Sequence, residues 1–241
     1  MIVRRLALVF SIVICGSLAL AAAAAAAGGG LGPGSYAFTS TAANAFFGGG
    51  AKGGPPTPTL MVSVNQGLNS FQPMHPKGPR IVTNSTMVFL TEFDATGAGG
   101  FGCFVVPASD FTVAKNLQSA SLNATLTADE ACPGYGAPVA AGKNVMSFAG
   151  GSSGGGGLVL PITVNVSWTG NGVVSTSKVR SSFQCLSYSE DGTSSYRDST
   201  GSASGTTSAL IGQLTSVYAD VSSADSQFDI SGTSQPPCFG Y

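Results

Sequence analysis

Charged side chains are scarce in this sequence. Asp, Glu, Lys and Arg make up 9% of its 241 residues, where about 25% is the average for globular proteins. Ten basic residues stand against eleven acidic ones, which gives a formal net charge of −1. No excess of basic side chains is present to neutralise a phosphate backbone or an anionic lipid surface. We therefore expect no nucleic-acid partner, and no membrane partner once the N-terminal segment described below is removed.

Histidine is nearly absent as well, since His75 is the only one in the sequence. It lies between Pro73 and Pro76, in a segment that we expect to be an extended loop. Nucleophilic triads need a histidine held against a nucleophile by a carboxylate, and catalytic zinc sites use several histidines. We therefore assign no catalytic residue and no metal ligand.

Two glycine-rich segments match functional motifs but lack the structural context that the motifs require. Residues 97–102, GAGGFG, have the glycine spacing of a dinucleotide-binding loop, but a predicted cysteine-bearing strand follows them instead of a helix. Residues 150–154, GGSSG, have the spacing of a nucleophile elbow around Ser152, but they lie inside a glycine run. We therefore assign no cofactor.

Acidic residues leave one enzymatic alternative open. A glycoside hydrolase needs only two carboxylates about 5 to 10 Å apart. We place several acids, Asp198 among them, in predicted loops. The group Asp220, Asp225 and Asp229 lacks the spacing of a calcium-binding loop. The sequence selects no pair, so the alternative is a small secreted hydrolase that acts on polysaccharide through two unassigned carboxylates.

The N-terminus has the order of residues that directs export. Arg4 and Arg5 precede an apolar run over residues 6–20, and seven alanines ending at Ala27 follow it. This order of positive, apolar and small residues is typical of a signal peptide, so we predict cleavage near Ala27 and a secreted or extracytoplasmic protein. The alternative is a retained membrane anchor, because residues 6–27 are uncharged and almost all apolar, and about 20 apolar residues span a bilayer. Residues 28–59 are rich in Gly, Ala and Pro, and we predict a flexible tether there.

Four cysteines remain after the signal peptide is removed, namely Cys103, Cys132, Cys185 and Cys238. An even number in an oxidising compartment predicts two disulfides, and four cysteines allow three connectivities. The spacing contains no CxxC pair of the zinc or redox type.

The order of predicted elements recurs on either side of the glycine run at residues 150–157, which we interpret as a linker or a loop. Residues 60–149 and 158–241 each contain a strong strand, a cysteine-bearing strand and an alternating strand, and CPGY at 132–135 matches CFGY at 238–241. We interpret the two halves as a tandem duplication with an extra hairpin around residues 190–208. The duplication favours the pairs Cys103 with Cys132 and Cys185 with Cys238, while bridges between the halves stay open.

Alternating apolar residues predict strands with one buried and one solvated face. The pattern is present in Ile162, Val164, Val166 and Trp168, in Leu122, Ala124 and Leu126, and in Val217, Ala219 and Val221. Sustained helical periodicity is missing from the sequence after the signal peptide. The fold class that we predict is all-β, an antiparallel β-sandwich built from two related halves and two disulfides.

The segments STMVFLTEFD (85–94), FGCFV (101–105), SWTGNG (167–172) and GSASGTTSALIGQLTS (201–216) carry a resemblance. Through them the chain resembles a loose group of uncharacterised secreted bacterial β-sandwich-like proteins, over residues 60–241. The resemblance implies a fold of strands and turns, and it supplies no catalytic residue.

The function that these observations favour is a non-catalytic secreted or surface-associated protein with a binding or structural role. Its partner would be a glycan or an extracellular protein. Tyr188 and Tyr218 lie in predicted strands, Tyr196 lies in the predicted hairpin, and the three are the candidate ligand-facing aromatics. The sequence leaves the oligomeric state open.

Overall fold

The computed structural model describes residues 34–48, 58–73, 78–93, 99–132, 158, 160–183, 188–205 and 214–230. The predicted signal peptide, His75, the glycine run at 150–157 and the cysteines at 185 and 238 lie outside these ranges.

Ten strands form one antiparallel sheet within the described ranges. They are β1 (Gly34–Phe47), β2 (Thr59–Pro73), β3 (Ile81–Phe93), β4 (Gly99–Val106), β5 (Phe111–Val113), β6 (Ser119–Leu126), β7 (Ile162–Gly170), β8 (Ser175–Phe183), β9 (Tyr188–Gly205) and β10 (Leu214–Ile230). Their order in the sheet is β4-β3-β2-β1-β10-β9-β7-β6-β5, and β8 pairs with β9 beside this path. The prediction of an antiparallel all-β fold is confirmed.

Strand β1 lies in the middle of the sheet, between β2 and β10. The prediction of a flexible tether is therefore wrong for residues 34–47. Small alternating side chains explain the error, because Ala43 and Ala45 are buried beside Phe47 although their composition indicates little burial. In the centre of a sheet such residues are held by backbone pairing on both edges and by the larger side chains of their neighbours.

Strand β9 runs without interruption from Tyr188 to Gly205. Its first half pairs with β8, its second half pairs with β7, and β10 follows its other edge. The predicted hairpin around residues 190–208 is therefore wrong over the described part of that segment. Cross-strand pairing keeps both glycines of this segment in the strand, since Gly192 is paired with β10 and β8 and Gly201 is paired with β7. Isolated glycines indicate a turn when only the sequence is read.

A single hydrophobic core receives side chains from both ends of the strand order. Phe104 of β4 and Leu122 of β6 belong to the same buried cluster, together with Val62 of β2 and Val164 of β7. The sheet therefore curls so that its two ends share one core. Each fully buried side chain of this size contributes about 1.5 to 3 kcal/mol. We call the face that carries this core the inner face, and the opposite face the outer face.

The predicted inward residues of β6 and β7 are all buried, so those two alternation patterns are confirmed. In β10 the pattern holds for Ala219 and Val221 and is wrong for Val217, which is 69% exposed. The pairing of β10 with β9 shifts register between Thr215 and Asp220, and a bulge of this kind turns nearby side chains out of strict alternation.

One disulfide joins Cys103 of β4 to Cys132, with the two Cα atoms 5.4 Å apart. A backbone bridge between Phe104 and Ala131 supports the same contact. This pair is the one favoured by the sequence for the first half. The pairing of Cys185 with Cys238 stays a prediction, because both residues lie outside the described ranges.

The strands that correspond in the predicted repeat have different pairing arrangements in the sheet. Strand β3 pairs with β4, whereas β7 and β8 follow one another along the same edge of β9. The tandem duplication and the sandwich both stay predictions.

The helices in the described ranges are two 3-10 turns of three residues, Ala108–Asp110 and Ala128–Glu130. No helix of that part of the chain has the length and apolarity needed to cross a membrane.

Candidate functional site

A row of polar side chains crosses the outer face of the sheet where four strands meet. Ser63 of β2 is paired with Asn44 of β1, Asn44 with Asp220 of β10, and Asp220 with Asp198 of β9. Residues directly opposite in antiparallel strands have Cβ atoms about 4.5 to 5.5 Å apart on the same face. The register of three strand pairs therefore brings these four side chains together.

Hydrogen bonds connect the first part of this row. The hydroxyl of Ser63 donates to Oδ1 of Asn44 at 2.5 Å. Nδ2 of Asn44 donates to Oδ2 of Asp220 at 3.1 Å. Both ends of the Asn44 amide are thus engaged, so its orientation relative to the carboxyl of Asp220 is set.

Two tyrosines complete the arrangement on the same face. The hydroxyl of Tyr196 donates to Oδ1 of Asp198 at 2.8 Å, and it lies 3.3 Å from the hydroxyl of Tyr218. Tyr218 also hydrogen-bonds to Asp220. We call the set Asn44, Ser63, Tyr196, Asp198, Tyr218 and Asp220 the tyrosine-carboxylate cluster.

Burial changes the acid-base properties of Asp220, whose residue surface is 4% exposed. Loss of hydration raises the pKa of its carboxyl from 3.8 to about 6, while the hydrogen bonds from Asn44 and Tyr218 act in the opposite direction. The charge of Asp198 adds a smaller upward contribution. Asp220 therefore takes up a proton in mildly acidic solution, at a pH where ordinary carboxyls are ionised.

The tyrosine hydroxyls keep their protons over the whole physiological range. Burial, followed by the charge of Asp220, raises the pKa of Tyr218 to about 12. Burial and the hydrogen bonds with Tyr218 and Asp198 raise the pKa of Tyr196 well above its ordinary value. Both hydroxyls therefore act as neutral donors and acceptors, which suits hydrogen bonding better than proton transfer.

Two of the three predicted ligand-facing tyrosines, Tyr196 and Tyr218, lie together in this cluster. Tyr188 begins β9 and is paired with Ile230, and its side chain lies outside the described part of the chain. The predicted loop position of Asp198 is wrong, since it lies inside β9. Cross-strand pairing with β10 on one edge extends the strand through that residue.

Sequence reasoning did not identify Asn44 and Ser63. Asn44 lies in the segment assigned to the tether, and its contact with Asp220 joins residues 176 positions apart. The alternating pattern of SYAFTSTAANAFF in β1 was the available signal for a strand. Nothing in it indicates which side chain lies opposite.

The cluster offers donors, acceptors and two aromatic rings, without a basic side chain among its members. Among the described residues, no three His, Cys, Asp or Glu side chains are grouped closely enough to hold a metal ion. The members that reach the surface are Asp198, which is exposed, and Tyr196 and Tyr218, which are partly exposed. Their chemistry suits hydrogen bonding and ring contact with an uncharged, hydroxyl-rich molecule.

No protein-family model, no curated protein and no solved structure matches this chain.

Proposed function

We propose that this protein is a non-catalytic extracytoplasmic β-sheet protein that binds a glycan on its outer face. The observation that carries the proposal is the tyrosine-carboxylate cluster, in which Tyr196 and Tyr218 lie beside two carboxylates on one antiparallel face. Aromatic faces pack against the C-H faces of sugar rings, and the exposed carboxyl of Asp198 can accept a hydrogen bond from a sugar hydroxyl.

The proposal includes export by the signal peptide at residues 1–27. The order of charged, apolar and small residues supports it, and so does the disulfide between Cys103 and Cys132, since such bonds persist in oxidising compartments. It also includes a sandwich-like packing of the sheet, which the shared core of Phe104 and Leu122 supports.

The test uses the full chain, produced in an oxidising compartment so that its disulfide forms. The purified protein is incubated with a panel of insoluble and soluble plant and microbial polysaccharides, and retention and released reducing ends are measured on the same samples. We expect retention without release. Tyr196→Ala and Tyr218→Ala should each weaken retention.

Phe93→Ala is the matched control. Phe93 is an aromatic side chain, 41% exposed, at the end of β3 and outside the cluster, so its loss should leave retention unchanged. Equal loss of retention in all three variants would show that aromatic exposure, not the cluster, causes it. An absence of retention on every polysaccharide would contradict the proposal.

A second function has one observation in its favour. Asp198 and Asp220 are cross-strand neighbours, and the pKa of Asp220 is raised to about 6. Two neighbouring carboxyls, one of them with a raised pKa, are the arrangement of retaining glycoside hydrolases, where the two groups are about 5 to 5.5 Å apart. The near-complete burial of Asp220 argues against it, because a general acid has to reach the substrate.

Release of reducing ends decides between the two functions. If polysaccharide is cleaved, Asp198→Asn and Asp220→Asn should each abolish release, while Asp225→Asn, an exposed acid further along β10, should not. Retention without cleavage excludes the hydrolase for the polysaccharides tested.

A further inference from the structure

Hydrogen-bond contacts connect the two carboxyls of the tyrosine-carboxylate cluster through its two tyrosines. The hydroxyl of Tyr196 lies 2.8 Å from Oδ1 of Asp198 and 3.3 Å from the hydroxyl of Tyr218. Tyr218 in turn hydrogen-bonds to Asp220. The four groups therefore form a chain of three contacts, with a carboxyl at each end and the two hydroxyls between them. We call it the hydroxyl chain.

The hydroxyl chain lacks one hydrogen when both carboxyls are ionised. Its three contacts need three hydrogens, and the two tyrosines supply only two, because an ionised carboxyl can only accept. Hydrogen bonds to an ionised acceptor are about twice as strong as those between neutral groups, so both hydrogens go to the carboxylates. Tyr196 donates to Asp198, and Tyr218 donates to Asp220. No hydrogen is left for the contact between the two tyrosine oxygens.

The length of that middle contact agrees with the missing hydrogen. Hydrogen bonds from a hydroxyl to an oxygen usually measure about 2.5 to 3.0 Å between the oxygens. The contact of Tyr196 with Asp198, at 2.8 Å, is within this range, whereas the 3.3 Å between the tyrosine oxygens exceeds it. Each tyrosine oxygen thus keeps an acceptor position available. Both tyrosines are partly exposed, so a hydroxyl from another molecule can supply the third hydrogen.

The carboxyl of Asp220 is the other source of a third hydrogen. Its Oδ2 accepts from Nδ2 of Asn44, and Oδ1 of Asn44 is held by the hydroxyl of Ser63. Asn44 therefore presents its donor end to Asp220, where it cannot accept. In the described part of the chain, the remaining hydrogen-bond partner of the carboxyl is Tyr218. A protonated Asp220 therefore donates to the oxygen of Tyr218.

Protonation of Asp220 changes which group donates in two of the three contacts. Tyr218 then accepts from Asp220 and donates to Tyr196, while Tyr196 continues to donate to Asp198. All three contacts now have a hydrogen, and the added one is a proton from the solvent. The acceptor position between the two tyrosine oxygens is filled, so a hydroxyl from another molecule loses it.

The groups around Asp220 place this change in mildly acidic solution. Burial raises the pKa of its carboxyl to about 6, and the charge of Asp198 on β9 adds to the shift. The two tyrosines, on β9 and β10, keep their hydrogens over this range. Strands β1 and β2 present Asn44 and Ser63, which carry no charge. Arg197 of β9 is paired with Val221, on the inner face.

We propose that the paired hydroxyls of Tyr196 and Tyr218 accept a hydrogen bond from a hydroxyl of the glycan, and that protonation of Asp220 closes this acceptor site. This rests on the proposed glycan-binding function and adds to it the position of one sugar hydroxyl and the regulation of binding by pH. The site is open when Asp220 is ionised and closed when it is protonated. Glycan and proton therefore each lower the affinity for the other.

The first measurement is the affinity for glycan at two pH values. The full chain, with its disulfide formed, is titrated against cellulose, chitin and xylan at about pH 7.5 and about pH 5. The dissociation constant should be about fivefold larger at the lower pH, which is the effect of losing one hydrogen bond. Asp225→Asn is the matched control, since Asp225 is an exposed acid of β10 outside the cluster. It should keep the pH dependence of the unaltered protein.

Two variants should abolish the pH dependence. In Asp220→Asn the amide oxygen accepts from Asn44, so the NH₂ group faces Tyr218 and donates to it as the protonated carboxyl does. This variant should bind weakly at both pH values. Tyr218→Phe leaves no oxygen to receive a hydrogen from Asp220 or to donate one to Tyr196, so its affinity should be the same at both.

Infrared difference spectra between the two pH values test the hydroxyl chain without a glycan. In the unaltered protein, protonation of Asp220 should shift the tyrosine C-O band, because the frequency of that band depends on whether the hydroxyl donates or accepts. Asp220→Asn and Tyr218→Phe should both lose the shift, and Asp225→Asn should keep it. A tyrosine band that stays unchanged in the unaltered protein overturns the hydroxyl chain.

The outcomes separate this proposal from the function on which it rests. Equal affinity at both pH values overturns the pH-controlled acceptor site and leaves the proposed function intact. A pH dependence that persists in Asp220→Asn overturns the role of Asp220. Binding to none of the three polysaccharides overturns the acceptor site as a glycan site. The infrared spectra then decide the hydroxyl chain, and retention on the wider polysaccharide panel decides the proposed function.

Discussion

Replacing Asp220 by Asn should change how the stability of this protein depends on pH. In the unfolded chain the carboxyl titrates near 3.8, and in the folded protein its pKa is about 6, chiefly because burial disfavours the charge. Between these values the folded state binds more protons than the unfolded state. Stability from this residue is therefore greatest at low pH and is lost as the pH rises through about 6.

The magnitude follows from the difference of about 2.2 pKa units. Each unit corresponds to 1.36 kcal/mol, so ionising Asp220 costs the folded state about 3 kcal/mol by pH 7. An asparagine at this position has no charge to bury, and it can still accept a hydrogen bond from Asn44. Relative to the unaltered protein, Asp220→Asn should gain stability on going from pH 4 to pH 7, by about 2 to 3 kcal/mol.

Urea unfolding of both proteins at several pH values, with the disulfide intact, provides the measurement. The difference between the two free energies of unfolding cancels the contributions of all other titrating groups. Asp225→Asn, at an exposed position of β10, is the control for the loss of one negative charge, and the pH dependence of Asp220→Asn is compared with it. A flat difference for Asp220→Asn would refute the assignment of a buried, proton-binding carboxyl.

Three further variants test the fold. Cys103→Ser together with Cys132→Ser opens a loop with a sequence separation of 29 and should lower the free energy of unfolding by about 3.6 kcal/mol in chemical denaturation. Trp168→Phe removes the hydrogen bond from Nε1 to the carbonyl oxygen of Asn44, at 2.8 Å. It should lower the free energy of unfolding by about 1 to 3 kcal/mol. An unchanged free energy of unfolding would contradict the buried contact. Gly102→Ala should lower the melting temperature, because a Cβ atom there would lie 2.6 and 2.8 Å from neighbouring side-chain atoms. A cost of about 1 to 3 kcal/mol is typical of overpacking. An unchanged melting temperature would show that the core rearranges to accept the methyl group.

Strands with strong apolar alternation were predictable from sequence. In β7, Ile162 to Trp168 alternate between branched or aromatic residues and polar ones, and each apolar member is buried. Strand β1 alternates more weakly, because most of its inward residues are Ala, Ser or Thr and its surroundings are rich in glycine. Composition indicates how much apolar surface a segment contains, but not how much of that segment the neighbouring strands bury.

The candidate site was predictable only in part, for a related reason. Tyr218 lies in a predicted strand and Tyr196 in the predicted hairpin, so the sequence indicates both as surface candidates. Their association with Asn44 depends on which strands are adjacent and in what register, and the contact between Asn44 and Asp220 spans 176 positions. Local patterns contain no information on such pairings.

The central position of β1 also has a consequence for how the chain reaches its folded state. Both edges of β1 need partners, and one of them, β10, is synthesised about 180 residues later. Until β10 arrives, β1 presents an open edge of unpaired amides and carbonyls along its length, which is a template for association between nascent chains. With this connectivity, the pairing of β1 with β10 takes place only on a chain that has been synthesised as far as β10.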